Sequence, residues 1–124
     1  MPITVTAFAP ASRLGSCAAS NPPTWPSWHL PHGRVSMAIV QCDLLGGSSV
    51  LQHLIAEQIR DRTDIPLAGL LIGATHTHAG PGQFLGTDFY NRFASNRSGF
   101  DPAWTAFLVE RIANGIVEAH DARV

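Results

Sequence analysis

The residues best placed for chemistry are His76 and His78, in the run Ala74-Thr75-His76-Thr77-His78-Ala79-Gly80-Pro81-Gly82. In extended backbone, side chains two apart point the same way, so both imidazoles can face one site. Thr75 and Thr77 would then turn away or support them. Two converging imidazoles suit zinc, which takes nitrogen and sulfur ligands in a tetrahedral shell. Gly80 and Gly82 would let the backbone turn sharply and approach a ligand closely. The competing reading is a pair of surface or hydrogen-bonded histidines. The position of the motif, straight after an apolar run and before a Gly-Pro-Gly turn, favours a site.

Other polar and sulfur groups carry weaker signals. Asp43 closes a neighbouring apolar run, so it either orients a ligand imidazole or serves as a polar turn residue before Gly46-Gly47. The turn Gly46-Gly47-Ser48-Ser49 precedes a helix, where an anion could sit. With no lysine and no continuing phosphate motif, plain helix capping is the expectation. Cys17 and Cys42 are too few for a disulfide framework, and Cys42 reads as a small buried hydrophobe. His29, His32, His53 and His120 have no partner at ligand spacing and are expected to face solvent. Asn96-Arg97-Ser98 has the form of a glycosylation sequon, a pattern that arises often by chance.

The elements that must hold the two histidines follow from apolar patterning. Residues 35–42 form a nearly continuous apolar run, as expected for a strand covered on both faces. Asp43 to Gly47 reads as a turn. Ser49 with Gln52 three residues on matches a capping box, and Val50, Leu51, Leu54, Ile55 and Ile59 follow at helical spacing. Residues 67–74 form a second buried strand after Ile65-Pro66. Strand, helix, strand with short connections predicts a right-handed βαβ unit with a parallel pair. The histidine motif then sits at the carboxyl end of a parallel sheet, where ligand sites collect. A polar loop should run to about Gly99. A C-terminal helix should start with Asp101 as N-cap and Pro102 at the first helical position, with a stripe of Trp104, Phe107, Leu108, Ile112 and Ile116.

Residues 1–33 carry Asn21-Pro22-Pro23-Thr24-Trp25-Pro26 and Leu30-Pro31-His32-Gly33, and read as an irregular Pro-rich segment, with a partial catalytic domain over 34–124. Trp25 and Trp28 suggest that some of the segment packs on something. The 124 residues, 45% of them hydrophobic, are enough for one domain with a core. A net charge of −1 gives no basic face for nucleic acid. No apolar run is long enough for a transmembrane segment, and the start lacks a signal peptide's apolar stretch. Leu14-Gly15-Ser16-Cys17 is only faintly like a lipoprotein box, since Pro10 and Arg13 interrupt what precedes it.

Metallo-β-lactamases follow His-x-His with Asp and another His, where this chain has Gly80 and Pro81. Amidohydrolase barrels place the motif at the end of the first strand, with no βαβ unit before it. The run Gly73 through Gly82 instead resembles the Ala-Thr-His-Thr-His-Ser-Gly-Pro-Gly signature of the neutral/alkaline, non-lysosomal ceramidase family. Ala79 stands where serine is usual. Arg34 to Leu44, Ser49 to Arg60 and Gly99 to His120 also look like that family's strand, helix and later helix. The resemblance covers residues 34–124; residues 1–33 do not look like the family's opening.

The resemblance implies a zinc ligand at His76 and a polar catalytic residue at His78, acting on the amide of a ceramide-type lipid. Zinc would lower the pKa of its bound water, and His78 would orient or stabilise the developing oxyanion. The family's remaining ligands, a histidine, a glutamate and a tyrosine, lie far downstream. Glu57, Glu110 and Glu118 fall on helix bodies and do not replace them. The expectation is therefore an N-terminal fragment of a larger α/β hydrolytic domain, lacking its downstream part, binding zinc weakly or not at all and inactive alone. The alternative is a non-catalytic βαβ binding or structural module. Members of the family are commonly secreted or membrane-facing; no residue here fixes a compartment.

Overall fold

The computed structural model describes the backbone of strand β1, Ile3–Phe8, and residues 36–122. The further elements are β2 (Met37–Cys42), α1 (Ser49–Ile59), β3 (Leu70–Ala74), α2 (Asp88–Phe93) and α3 (Pro102–Asp121), with one 3-10 turn at Leu67–Gly69. The three strands lie in the order β1-β2-β3. β2 and β3 are parallel, with Ala38 opposite Leu70 and Cys42 opposite Ala74. The chain is thus an α/β fold: a βαβ unit with a parallel pair and a C-terminal helix.

β1 departs from the expectation that residues 1–33 are irregular throughout. It runs antiparallel to β2, with Ile3 opposite Cys42 and Phe8 opposite Met37. Ile3-Thr4-Val5-Thr6-Ala7-Phe8 is rich in β-branched residues that suit a pleated strand. The Pro-rich stretch, Cys17, Trp25, Trp28, His29 and His32 lie outside the described residues.

The sheet is packed on one face. In β2, Ala38, Val40 and Cys42 are buried while Met37, Ile39 and Gln41 are exposed. Leu71 of β3 is exposed as well. The expected two-sided burial is therefore corrected: an apolar run shows that a strand can be covered twice, not that it is. Helices α1 and α3 pack on the covered side, and Leu51, Ile55, Ile59, Leu108, Ile112 and Ile116 join Val40 and Leu70 in one core. Leu54 and Phe107, expected on the apolar stripes, are exposed at the stripe edges.

Helix starts follow side-chain chemistry only in part. Ser48, not Ser49, is the N-cap of α1, and it makes no side-chain cap bond. Its hydroxyl donates instead to the Phe84 carbonyl (3.1 Å), and the Gln52 amide donates to the Leu70 carbonyl (2.8 Å). The capping box is replaced by two ties to other segments, the Phe84 and Leu70 carbonyls. Residues 67–69 turn before the strand: the Gly69 N–H reaches the Pro66 carbonyl at 2.8 Å. At α3 the expectation holds. Asp101 is the N-cap, its carboxylate accepts from the Trp104 N–H at 3.0 Å, and Pro102 opens the helix. Asp101→Ala should lower stability by about 1 kcal/mol, the usual worth of such a cap. A urea midpoint unchanged by the substitution would contradict that role.

The loop after the histidine motif is more ordered than its polar sequence suggests. It contains α2, and Phe84 is fully buried in the core. The Asn91 amide accepts from the Leu85 N–H (3.0 Å) and donates to the Leu85 carbonyl (2.8 Å), closing the loop on itself. Among the described residues no helix is long and apolar enough to cross a membrane.

Candidate functional site

The histidine motif leaves the end of β3 alongside the turn that leaves β2. The parallel ladder continues past both strands: the Thr75 N–H donates to the Cys42 carbonyl (3.0 Å) and the Thr77 N–H to the Leu44 carbonyl (3.2 Å). These bonds fix the backbone on either side of His76. Between them His76 takes φ +62°, a left-handed conformation that non-glycine residues rarely adopt. Such a conformation costs on the order of 1–3 kcal/mol and persists where neighbours over-determine it.

The motif is therefore not extended, and strand alternation is not what brings the two rings together. The left-handed residue does so: the ring centroids of His76 and His78 lie 4.9 Å apart, edge to face at 88°. Both side chains are exposed. His76 Nδ1 lies 2.7 Å from the Leu45 carbonyl oxygen. A carbonyl only accepts, so Nδ1 carries the proton and donates it. The neutral ring then presents Nε2 with its lone pair free. Ligand histidines are commonly fixed this way, through the nitrogen that does not bind the metal.

Among the described residues Asp43 bonds to no imidazole. Its carboxylate accepts from the Thr75 hydroxyl at 2.6 Å, fastening the first residue of the motif to the β2 turn. The holder of His76 is the Leu45 backbone, which sequence reasoning missed because every residue has a carbonyl.

The backbone bends at residues 78–80, as expected near Gly80, but without the left-handed conformation that only glycine adopts freely. Neither Gly80 nor Gly82 has a positive φ. A Cβ on Gly80 would meet only ordinary contact, while one on Gly82 would fall within the Ser95 side chain. Gly82 is thus a packing requirement. Cys42 is 1% exposed at the end of β2, and burial pushes its thiol up to about 11, so it packs as an apolar group. The Asn96-Arg97-Ser98 segment is exposed.

The remaining histidines divide. His53 is exposed and its Nδ1 meets the Ser49 carbonyl (2.8 Å) within α1. His120 is not the partnerless surface residue expected. Its ring is 16% exposed, and its Nε2 lies 2.8 Å from an Asp64 carboxylate oxygen. The other oxygen of Asp64 accepts from the Ser36 hydroxyl at 2.6 Å. This cluster joins the end of α3 to the segments entering β2 and β3. No sequence spacing announces it, since its members are 28 and 56 residues apart.

The donors fit part of a zinc shell. His76 and His78 supply two imidazoles, and among the described residues no group of three or more His, Cys, Asp or Glu side chains could hold a metal. Concavities of about 510 and 640 Å³ flank α1, and neither is lined by the two histidines.

Comparison with known proteins gives one partial likeness. Over 50 residues, 40% of this chain, the sequence is 48% identical to a neutral ceramidase of Mycobacterium tuberculosis. The matched stretch is 7% of that protein's length, so the chain spans a small part of the curated relative it matches. No protein-family profile and no solved structure matches the chain.

Proposed function

We propose that this chain supplies one side of the zinc site of an amidase of the neutral ceramidase type. In this reading His76 is a metal ligand through Nε2 and His78 a polar catalytic residue beside it. The observation that carries the reading is the Leu45 carbonyl on His76 Nδ1, which leaves Nε2 free within reach of the second imidazole. The partial likeness to a neutral ceramidase supports the same class and a ceramide-type lipid amide as substrate. Bound zinc would supply Lewis acidity and a water of lowered pKa. His76 is held for this in one tautomer, and the exposed His78 edge can donate to an oxyanion. Thr75, tied to Asp43, and Thr77, tied to Leu44, keep the motif on the β2 turn.

Two imidazoles are fewer than the three protein ligands of a catalytic zinc site, so the remainder comes from sequence outside residues 36–122. Zinc titration by calorimetry on the chain and on His76→Ala, beside an amide-hydrolysis assay, tests this. Weak zinc binding by the wild type, lost in the variant, with no turnover, is expected. Equal binding by both would remove His76 from the ligand set. Tight one-to-one binding or hydrolysis by the chain alone would show a complete site and refute the partial one. Saturable ligand binding indifferent to zinc would favour a non-catalytic βαβ module.

A further inference from the structure

The turn between β2 and α1 is anchored at both ends and touches β3 in between. Leu44 and Leu45 are buried, and Ser48 is tied through its hydroxyl to the Phe84 carbonyl. Two glycines separate these anchors, and they differ. A Cβ on Gly46 would meet nothing within 4 Å, whereas one on Gly47 would stand 2.8 Å from the Ile72 carbonyl oxygen of β3. Neither glycine has a positive φ, so Gly47 serves close approach rather than an unusual conformation. The same two segments are joined twice more. The Leu45 carbonyl accepts from His76 Nδ1 at 2.7 Å, and the Asp43 carboxylate accepts from the Thr75 hydroxyl at 2.6 Å. Gly47 thus follows, in the turn, the carbonyl that holds His76, and it rests on the strand that leads into His76.

Packing at this point sets the place of a ring. A Cβ on Gly47 would need about half an ångström more room to reach ordinary contact, so either the turn or the end of β3 must give way. Ser48 is fixed on one side, so the movement passes to Leu45 or to the segment entering His76. Either one stretches the bond between them, and the normal range of such a bond ends at about 3.2 Å. The left-handed backbone of His76 adds to the sensitivity, because that conformation persists only where its neighbours hold it. We propose that Gly47 is a positioning residue for His76. Its missing side chain lets the turn lie close enough to β3 for the Leu45 carbonyl to fix the ring with Nε2 bare. Asp43 supports the same contact from the other end of the turn, through Thr75. What the held ring is for rests on the amidase reading; the contact that holds it does not.

Long-range proton–nitrogen correlation spectra of the full chain, taken without metal at a pH where the imidazoles are neutral, read the tautomer of each ring. The wild type and Gly46→Ala should show His76 protonated at Nδ1 alone. Gly47→Ala should show both tautomers of His76 in exchange. His53, bonded to the Ser49 carbonyl within α1, should keep its wild-type signals, and circular dichroism should show the fold retained. A general loss of structure would not single out one ring. Asp43→Ala should release His76 in part, and Asp43→Asn, which keeps an acceptor for the Thr75 hydroxyl, should not. That comparison stands even where Gly47→Ala does not fold. Calorimetry with zinc alone should show about tenfold weaker binding by Gly47→Ala and no such loss by Gly46→Ala, the usual cost of disturbing a group that orients a ligand. A folded Gly47→Ala with His76 still protonated at Nδ1 alone would overturn the proposal. So would equal release by Gly46→Ala, or by Asp43→Asn as by Asp43→Ala. No zinc binding by the wild type, with the tautomers as expected, would count against the amidase reading and uphold the positioning.

Discussion

Phe84→Ala is expected to destabilise the chain by about 3–5 kcal/mol, the range for truncating a buried aromatic side chain. The ring is fully buried among the core residues of α1, α3 and the sheet. Its backbone is engaged as well: the Phe84 carbonyl accepts from the buried Ser48 hydroxyl at the start of α1. One residue earlier, the Gln83 carbonyl accepts from the Asp101 N–H at 2.8 Å, at the start of α3. Phe84 therefore pins the segment after the histidine motif to the entrances of both packed helices. Urea unfolding should show the midpoint falling steeply, and hydrogen exchange should rise at Gln83 and Leu85 first. A loss below about 1 kcal/mol, typical of a surface position, would mean that the ring does not belong to the core.

The same residue shows where sequence reasoning stops. Phe84 stands among Gly, Pro, Gln, Thr and Asp in a stretch with no periodicity, so nothing local marks it, rather than Phe89 or Tyr90, as the buried ring. The βαβ unit was legible because two β-branched and leucine-rich runs flank an amphipathic segment, a pattern with few other solutions. The start of α3 was legible because Asp101-Pro102 states its own capping chemistry, and the bond to Trp104 confirms it. By contrast, Ser48 and Gln52 have hydroxyl and amide groups that serve a local cap or a distant carbonyl equally well. Tertiary contacts chose the distant carbonyls of Phe84 and Leu70.

The site divides in the same way. Residue types and spacing identified His76 and His78 as a pair that could converge, and their rings do lie together. The means of convergence was hidden, because a left-handed φ at His76 has no side-chain signature in an L-residue. The Leu45 carbonyl was hidden for a related reason: backbone acceptors are uniform along the chain. The Ser36, Asp64 and His120 cluster was beyond reach because it is assembled only when α3 folds back over the sheet.

Gly82→Ala should cost about 1–3 kcal/mol, the usual penalty for forcing atoms into a filled space. A Cβ at Gly82 would stand 2.6 Å from the Ser95 Cβ and 3.0 Å from its Cα, as well as colliding with the hydroxyl. The hydroxyl cannot simply rotate away without loss, because it accepts the Gln83 N–H at 3.0 Å. Either Ser95 or the backbone of the motif must move, and Pro81 limits the freedom of the latter. Replacing Ser95 with glycine removes the colliding Cβ and hydroxyl, so Gly82→Ala/Ser95→Gly should recover part of the loss. The coupling between the two changes is therefore expected to be favourable, where independent sites would add. Unfolding of the two single variants and the double variant measures it. Simple additivity would show that the two positions are not in contact and would withdraw the packing role assigned to Gly82.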